Sequence, residues 1–522
     1  MNAKLINFSE LSKQYDHDSS INSCLLRLYR RFNLNAAISG YGLEKKRGVA
    51  IGDLVLLLLL FRISGESIFQ WFRNGYYDLF SVGKDCFYRL LNRPQMDWRR
   101  LLYNVATSFN RIVREKVQAD EKSLSEVNEA SNSGVTKGKK LKKVAPRCFI
   151  LDDTTLEKTG KAMEFIGLVF DHVRHTCVLG YKLLCLAYFD GKSTIAVDFT
   201  VQGEKGKNKD QGISAEQRKH RFQKRRDKGD PGYTRAQEYK KTKPEMALSM
   251  LRRAVRHKLQ ASYVLMDSWF VTRPMIEGIR GIAKGSLHVI GLHKMDQTKF
   301  EVKGKAYHIH DLILLHAQEA KTCRQLKSRY FTIRTKIGDT EVKLFFIQYG
   351  KQDNWHILLT TDMNLSFTDA FAYYQIRWSI EVLFADCKGY LRLGKYQGRD
   401  FDGLIADCTL AFITHTMLTL ERRFSAYETP GEIFQRVKRS VVELTFWERF
   451  LPMIVDLIKI LAKVAGMNFF DMVEAAIADP EACEFLKAIL KALSPDNSTL
   501  NTFFTCVKTP ENREMSMASG LK

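Results

Sequence analysis

Apolar residues along the first 115 positions come in short stretches at 51–61, 69–72 and 101–105, with basic residues between them. That spacing predicts a helical region over 1–115 whose basic faces suit DNA binding, and a generic helical region fits the same pattern. Residues 116–147 turn polar and Lys-rich and read as a basic linker. At Cys148 the texture changes. The run 148–151 (CFIL) leads into Asp152-Asp153-Thr154-Thr155, and apolar runs at 165–170, 177–189 and 193–201 follow, with a turn at Asp190-Gly191. This is the pattern of a strand meander. Pro244 opens a helical pattern, and then come a strand at 262–266 (SYVLM), a helical stretch at 273–284 and a strand at 288–295. Such alternation predicts an α/β core. Residues 296–362 are β-patterned, with a hairpin turn at Gly338-Asp339. From Ser366, placed with Asp369 as a capping box, the pattern is helical to near the end, and the tail is polar and loose.

The 522 residues carry 81 Lys and Arg against 58 Asp and Glu, a net charge of +23 that favours a polyanionic partner, nucleic acid first. A hydrophobic content of 45% supports a large core and excludes wholesale disorder. The ten cysteines form no C-x-x-C pair, so a zinc ribbon has no support. The opening residues hold no apolar leader, and the most apolar run, 54–61, is far shorter than the ~20 residues of a membrane span. The expectation is a cytoplasmic, nucleoid-associated protein with no membrane partner. A second basic segment, 204–243, has fourteen Lys and Arg to six Asp and Glu, and fits a phosphate-binding loop or a solvated one equally.

The segment 373–392 (YYQIRWSIEVLFADCKGYLR) holds the most chemistry. At 100° per residue, Tyr374, Arg377, Glu381 and Lys388 fall on one stripe about 60° wide, with Ile376, Ile380, Leu383, Cys387 and Leu391 on another face. An ordinary amphipathic helix could show the same stripe. Two further carboxylates, Asp153 and Asp267, sit where predicted strands end, the place where α/β sheets build sites. Three carboxylates from separate elements suit Mg²⁺ or Mn²⁺. Two such ions about 4 Å apart activate water and stabilise a leaving 3′ oxygen in phosphodiester cleavage. Arg and Lys on the Glu381 stripe could hold DNA phosphates beside them.

The spacing Tyr374-x2-Arg377-x3-Glu381-x6-Lys388 resembles the Tyr–Arg–Glu–Lys signature of the Insertion Sequence four family of DDE transposases. Asp153-Thr154-Thr155 looks like that family's first Asp motif, and the strand ending at Asp267 looks like its second. The resemblance implies an RNase H-like catalytic core with a β-rich insertion, flanked here by helical regions. The resemblance runs from about residue 148 to 399; with the flanks read from their pattern alone, the chain divides into a helical DNA-binding region (1–115), a basic linker (116–147), a first core segment (148–284), the β-rich insertion (285–365), a second core segment (366–425) and a helical carboxy-terminal region with a loose tail (426–522). The resemblance implies cut-and-paste transposition through a hairpin at terminal inverted repeats. It also implies two Mg²⁺ ions, with Mn²⁺ as substitute, held by Asp153, Asp267 and Glu381, while Tyr374, Arg377 and Lys388 contact DNA. Pairing two element ends implies a homodimer on double-stranded terminal-repeat and target DNA.

Asp152 and Asp153 are adjacent and would face opposite sides of a strand. Asp153 is chosen because it precedes Thr-Thr, and Asp152 is held in reserve. A flipped base needs an aromatic to stack on, and Trp378, Trp269 and Trp355 are the candidates. His172, His175, His308 and His310 read as surface or core histidines. Two other functions stay open: an RNase H-like DNA nuclease without strand joining, and an inactive DNA-binding descendant.

Overall fold

The computed structural model describes residues 21–40, 49–73, 83–130, 145–204, 212–350, 354–424 and 479. The predicted carboxy-terminal region, 426–522, lies outside them apart from Asp479. The chain divides into two compact units, and the larger, residues 27–77 with 82–438, contains the whole sheet.

Strand β1 (Cys148–Glu157) is longer than its apolar run because it pairs along its full length with β3 (Thr176–Phe189), so the ladder carries the polar residues 152–155 with it. The outer edge of β3 is shared by β2 (Gly167–Asp171) and β4 (Thr194–Gln202), both antiparallel to it. On its other side β1 pairs parallel with β5 (Tyr263–Met266), and β5 pairs parallel with β6 (His288–His293). The order β4-β3-β1-β5-β6, antiparallel for the first three and parallel thereafter, is that of an RNase H-like core. The first four residues of β1 and all of β5 are buried, as expected for parallel strands covered on both faces.

The β-patterned segment continues this sheet. After the small hairpin β7 (Lys299–Val302) and β8 (Lys305–His308) come β9 (Lys321–Cys323), β10 (Ser328–Ile337), β11 (Thr340–Tyr349) and β12 (Trp355–Thr360). β12 lies antiparallel on the free edge of β6, and β11, β10 and β9 follow in turn, which makes ten strands in one sheet. The turn at Gly338-Asp339 joins β10 to β11 as the sequence predicts, with Gly338 at a φ of 59°.

Helices cover the sheet: α1 (Ile51–Ser64), α2 (Trp98–Ala130), α3 (Lys243–Arg256), α4 (Arg273–Arg280), α5 (Phe367–Gln375), α6 (Trp378–Gly389) and α7 (Phe401–Phe424). Helix α2 runs past the predicted linker boundary at 116, because 116–130 holds no Gly or Pro and is rich in good helix formers. Helices α1 and α7 are apolar nearly all round and buried nearly all round. Helix α7 is long and apolar enough to cross a membrane, yet nearly all of that stretch is enclosed by protein. Its hydroxyls are satisfied within the helix: Thr409, Thr414 and Thr416 donate to the carbonyls of Ile405, Leu410 and Phe412.

Two buried charge networks fix these layers. Asp198 of β4, fully buried, accepts from Arg99 of α2 (3.0 Å), Arg253 of α3 (2.7 Å) and the Tyr103 hydroxyl (3.0 Å). Arg99 also makes a two-pronged contact with Glu238 at 2.8 and 2.6 Å. Burial alone would raise the Asp198 carboxyl, but the guanidiniums of Arg99 and Arg253 override it and hold it at about 2. The second network takes two residues of the basic segment out of solvent. Lys224 and Arg226 turn inward to Asp400, Asp402 and Glu164 beside the start of α7, while Lys219, His220, Arg225 and Lys228 face solvent.

Asp198→Asn leaves Arg99 and Arg253 buried against one carboxylate fewer. The expected cost is about 3–5 kcal/mol of folding stability, read by urea denaturation at neutral pH. A cost below about 1 kcal/mol would show that this network does not hold α2 and α3 to the sheet.

Candidate active site

Beyond residue 151 the side chains of β1 alternate between two faces, and each face has its own partners. On one, Asp152 Oδ2 accepts from Arg377 Nη1 at 3.0 Å, and Lys388 Nζ donates to Thr154 Oγ1 at 2.6 Å. On the other, Lys243 Nζ donates to Asp153 Oδ2 at 2.7 Å and Lys182 Nζ to Thr155 Oγ1 at 3.0 Å. Parallel pairing of Leu151 with Met266 brings the next residues of the two chains, Asp152 and Asp267, side by side. Arg377 closes the group: its Nη2 donates to Glu381 Oε1 at 2.7 Å, so one guanidinium bridges Asp152 and Glu381.

The structure thus brings Asp152, and not Asp153, to Asp267 and Glu381. The Thr-Thr motif points to Asp153, whereas the pleat of β1 turns that side chain to the opposite face, onto Lys243. Alternation was the signal that could have decided it, but the sequence alone does not tell which face meets α6.

The helix of the four-residue stripe is not continuous. It breaks at Ile376-Arg377 into α5 and α6, where the amides of Ile376, Arg377, Ser379 and Ile380 bond three residues back. That tightened turn rotates Arg377 relative to an even helical wheel. Tyr374, Arg377 and Glu381 still stay together: the Arg377 guanidinium lies 5.9 Å from the Tyr374 ring. Lys388 stands further along, on Thr154.

Electrostatics mark Asp152 out. Burial first, and then the like charges of Asp153 and Asp267, push its carboxyl up to about 6, against the pull of the Asp153 amide and Arg377. Burial pushes the Tyr374 hydroxyl up to about 12, so it remains a hydrogen-bond donor at neutral pH.

The three tryptophans separate. Trp355 is buried against Phe331, with ring centres 5.2 Å apart, and belongs to the core. Trp269 is 45% exposed and Trp378 is 62% exposed. Trp378 lines a cavity of about 440 Å³ together with Tyr374, Phe371, His356 and Leu358. The four singled-out histidines join no metal-ligand cluster among the described residues, and His172 and His175 are exposed.

No group of three or more Asp, Glu, His or Cys side chains among the described residues closes to ligand distance by itself. The donor set nevertheless fits a hard divalent cation. It offers carboxylate oxygens from three elements, with like charges crowded at Asp152 and two of the carboxylates already drawn together by a cationic group.

An RNase H-like sheet bearing this carboxylate group, with Asp152 midway along β1 and Asp267 just past the end of β5, fits a nuclease-type enzyme. Residues 137–300 match the family model described as "DDE superfamily endonuclease". Residues 233–395 match the model described as "Archaeal putative transposase ISC1217". The first match spans Asp152 and Asp267, the second Asp267 and Glu381, and together they support a DDE-superfamily endonuclease or transposase domain in this chain. That superfamily implies a DNA substrate, and its nucleases generally use divalent metals. No curated protein matches the chain. A solved structure, the NurA nuclease from Sulfolobus solfataricus, is similar at 13% identity over 51% of this chain and 85% of that one, with a TM-score of 0.21.

Asp152 binds its proton more tightly folded than unfolded, so its ionisation opposes folding, and stability drains away as pH rises from about 4 to about 6. Asp152→Asn removes this term, which is on the order of 2 kcal/mol. In metal-free buffer, the melting temperature of the variant relative to wild type should climb between about pH 4 and pH 7. A difference that stays flat across that range would contradict the crowding of charge at Asp152.

Proposed function

We propose that this protein is a transposase of the Tyr–Arg–Glu–Lys type, which cuts DNA at the terminal inverted repeats of a mobile element and joins the freed ends to target DNA. The observation that carries this reading is Asp152 bridged to Glu381 by Arg377, with Asp267 beside Asp152, on an RNase H-like sheet. The basic balance of the chain suits a polyanionic substrate. The protein would act in the cytoplasm on the nucleoid, as a homodimer that pairs two ends, with the helical amino-terminal region reading the repeats.

Asp152, Asp267 and Glu381 would hold two Mg²⁺ ions, or Mn²⁺. Once bound, these supply a more acidic attacking water and charge neutralisation on the leaving 3′ oxygen. The protein's own residues do the rest. Arg377 holds Asp152 and Glu381 in place before DNA arrives and offers its fork to the phosphate. Lys388, held on Thr154 next to Asp152's face of β1, would offer its ammonium to the scissile phosphodiester. Tyr374 donates a hydrogen bond to a phosphate oxygen. In the first step water attacks phosphorus, the P–O bond to the 3′ oxygen breaks, and a 3′ hydroxyl and a 5′ phosphate result. In the second, that 3′ hydroxyl attacks the facing phosphodiester of the opposite strand, the P–O bond to the flanking DNA's 3′ oxygen breaks and that oxygen leaves as a hydroxyl, and a hairpin closes on the element end. The cavity beside Trp378 has room for a base turned out of the stack, which supports the hairpin route.

The test is cleavage of a DNA fragment carrying the element's own end, with Mg²⁺. Wild type should nick at the end and then form a hairpin. Asp152→Asn, Asp267→Asn and Glu381→Gln should lose at least 10³-fold in rate, an order-of-magnitude loss for groups whose work is transition-state electrostatics. Asp153→Asn should still cut at saturating metal. Nicking without a hairpin or joined product favours the plain nuclease, and binding without any cutting favours an inactive descendant.

Trp378→Ala should leave the first nick near the wild-type rate and slow hairpin formation by about 10-fold or more, since base stacking is worth roughly 1–3 kcal/mol. Equal slowing of both steps, followed on a denaturing gel, would remove Trp378 from the hairpin step.

A further inference from the structure

The hydrogen-bonded ladder between β1 and β5 ends at Leu151 and Met266. Asp152 and Asp267 are the next residues on each chain, so no backbone pairing fixes them against each other. Something else must set their separation, because a metal site tolerates little play between its carboxylates.

Lys243 is placed to do this. Its Nζ donates to Asp153 Oδ2 at 2.7 Å and lies 5.1 Å over the Trp269 ring. Asp153 follows Asp152 directly, and Trp269 is two residues past Asp267. One ammonium therefore holds both segments just outside the last rung of the ladder, by an ion pair on one side and a cation–π contact on the other. A second carboxylate, Glu204, stands 3.6 Å away and steadies it. The stem is well anchored. Lys243 opens α3, where the Thr242 hydroxyl accepts from the Glu245 amide and the Glu245 side chain accepts from the Thr242 amide, and Pro244 follows. The Lys243 side chain is only 15% exposed, so little of it is free to serve as a surface phosphate contact.

We propose that Lys243 is a positioning residue which, through Asp153 and Trp269, fixes Asp152 against Asp267 and so sets the metal affinity of the site. This rests on the reading of those carboxylates as the metal-holding group. It gives Asp153 a role that its place on the far face of β1 otherwise leaves open.

Positioning and simple electrostatics make opposite predictions. Removing a positive charge near carboxylates should tighten metal binding by charge alone, whereas loss of a positioning contact should weaken it. The experiment is Mn²⁺ titration of the full chain without DNA, read by calorimetry and by the Mn²⁺-dependent rise in melting temperature. Lys243→Met should raise the half-saturating Mn²⁺ concentration by about 10-fold, the usual scale for a group that orients metal ligands. Lys243→Arg, which can make both contacts, should stay close to wild type. Trp269→Ala changes no charge and alters a half-exposed side chain, so it should also weaken binding, and the double variant should be no worse than Lys243→Met alone. Trp269→Ala serves even if Lys243→Met fails to fold. Wild-type or tighter binding in Lys243→Met, or unchanged binding in Trp269→Ala, overturns the proposal. Asp152→Asn and Glu381→Gln separate the two failures. If they too bind Mn²⁺ normally, the metal-holding reading has failed and this inference goes with it. If they lose Mn²⁺ while Lys243→Met keeps it, only the role of Lys243 is wrong.

Discussion

The site depends on one constraint, the two-residue pleat of β1 held in register by β3 on one side and β5 on the other. Slipping that register by one residue would exchange the faces of Asp152 and Asp153 and separate the carboxylate group. The long pairing with β3 makes such a slip costly, because it would also break the packing of residues buried on both faces of this strand. The chemistry is therefore held by packing several residues away from it.

Charge is handled differently on the two faces. Toward α6, Arg377 draws Asp152 and Glu381 together, and the Asp152 carboxyl is raised first by burial and then by the like charges of its neighbours. Toward α3, Lys243 and Lys182 pair with Asp153 and Glu204, and Lys182 donates to the Thr155 hydroxyl. One face is thus left under electrostatic tension and the other is satisfied. Such unevenness is what a site that binds metal and polyanion requires, and it costs stability that the buried Asp198 and Glu164 networks help to restore.

The β-rich segment shows how an insertion can serve a core without forming a separate body. Because β12 docks on the edge of β6, the inserted strands extend the catalytic sheet, and the aromatic cavity beside Trp378 is built jointly by that extension and by α5. Any widening of the sheet at this edge would move the cavity wall relative to Arg377.

Much of this was legible in the sequence. The apolar runs at 148–151 and 262–266 and the helical pattern after Pro244 became the elements they predict, and 296–362 is mostly strand as its texture suggests but is interrupted by a helix at Ile309–His316. The residues Tyr374, Arg377, Glu381 and Lys388 were legible too, since their spacing is local to one short segment. What local pattern does not hold is which face of a strand meets which helix. That is why Asp153 looked like the first carboxylate, and why Lys243, far from the motif in sequence, gave no sign of itself. The break at Ile376-Arg377 was equally hidden, for no Gly or Pro marks it. The sequence by itself determined the elements and the chemical types present at the site. Only the tertiary structure decided which of two neighbouring aspartates joins Asp267 and Glu381, because that choice belongs to the pairing of β1 with β3 and β5 and not to any residue alone.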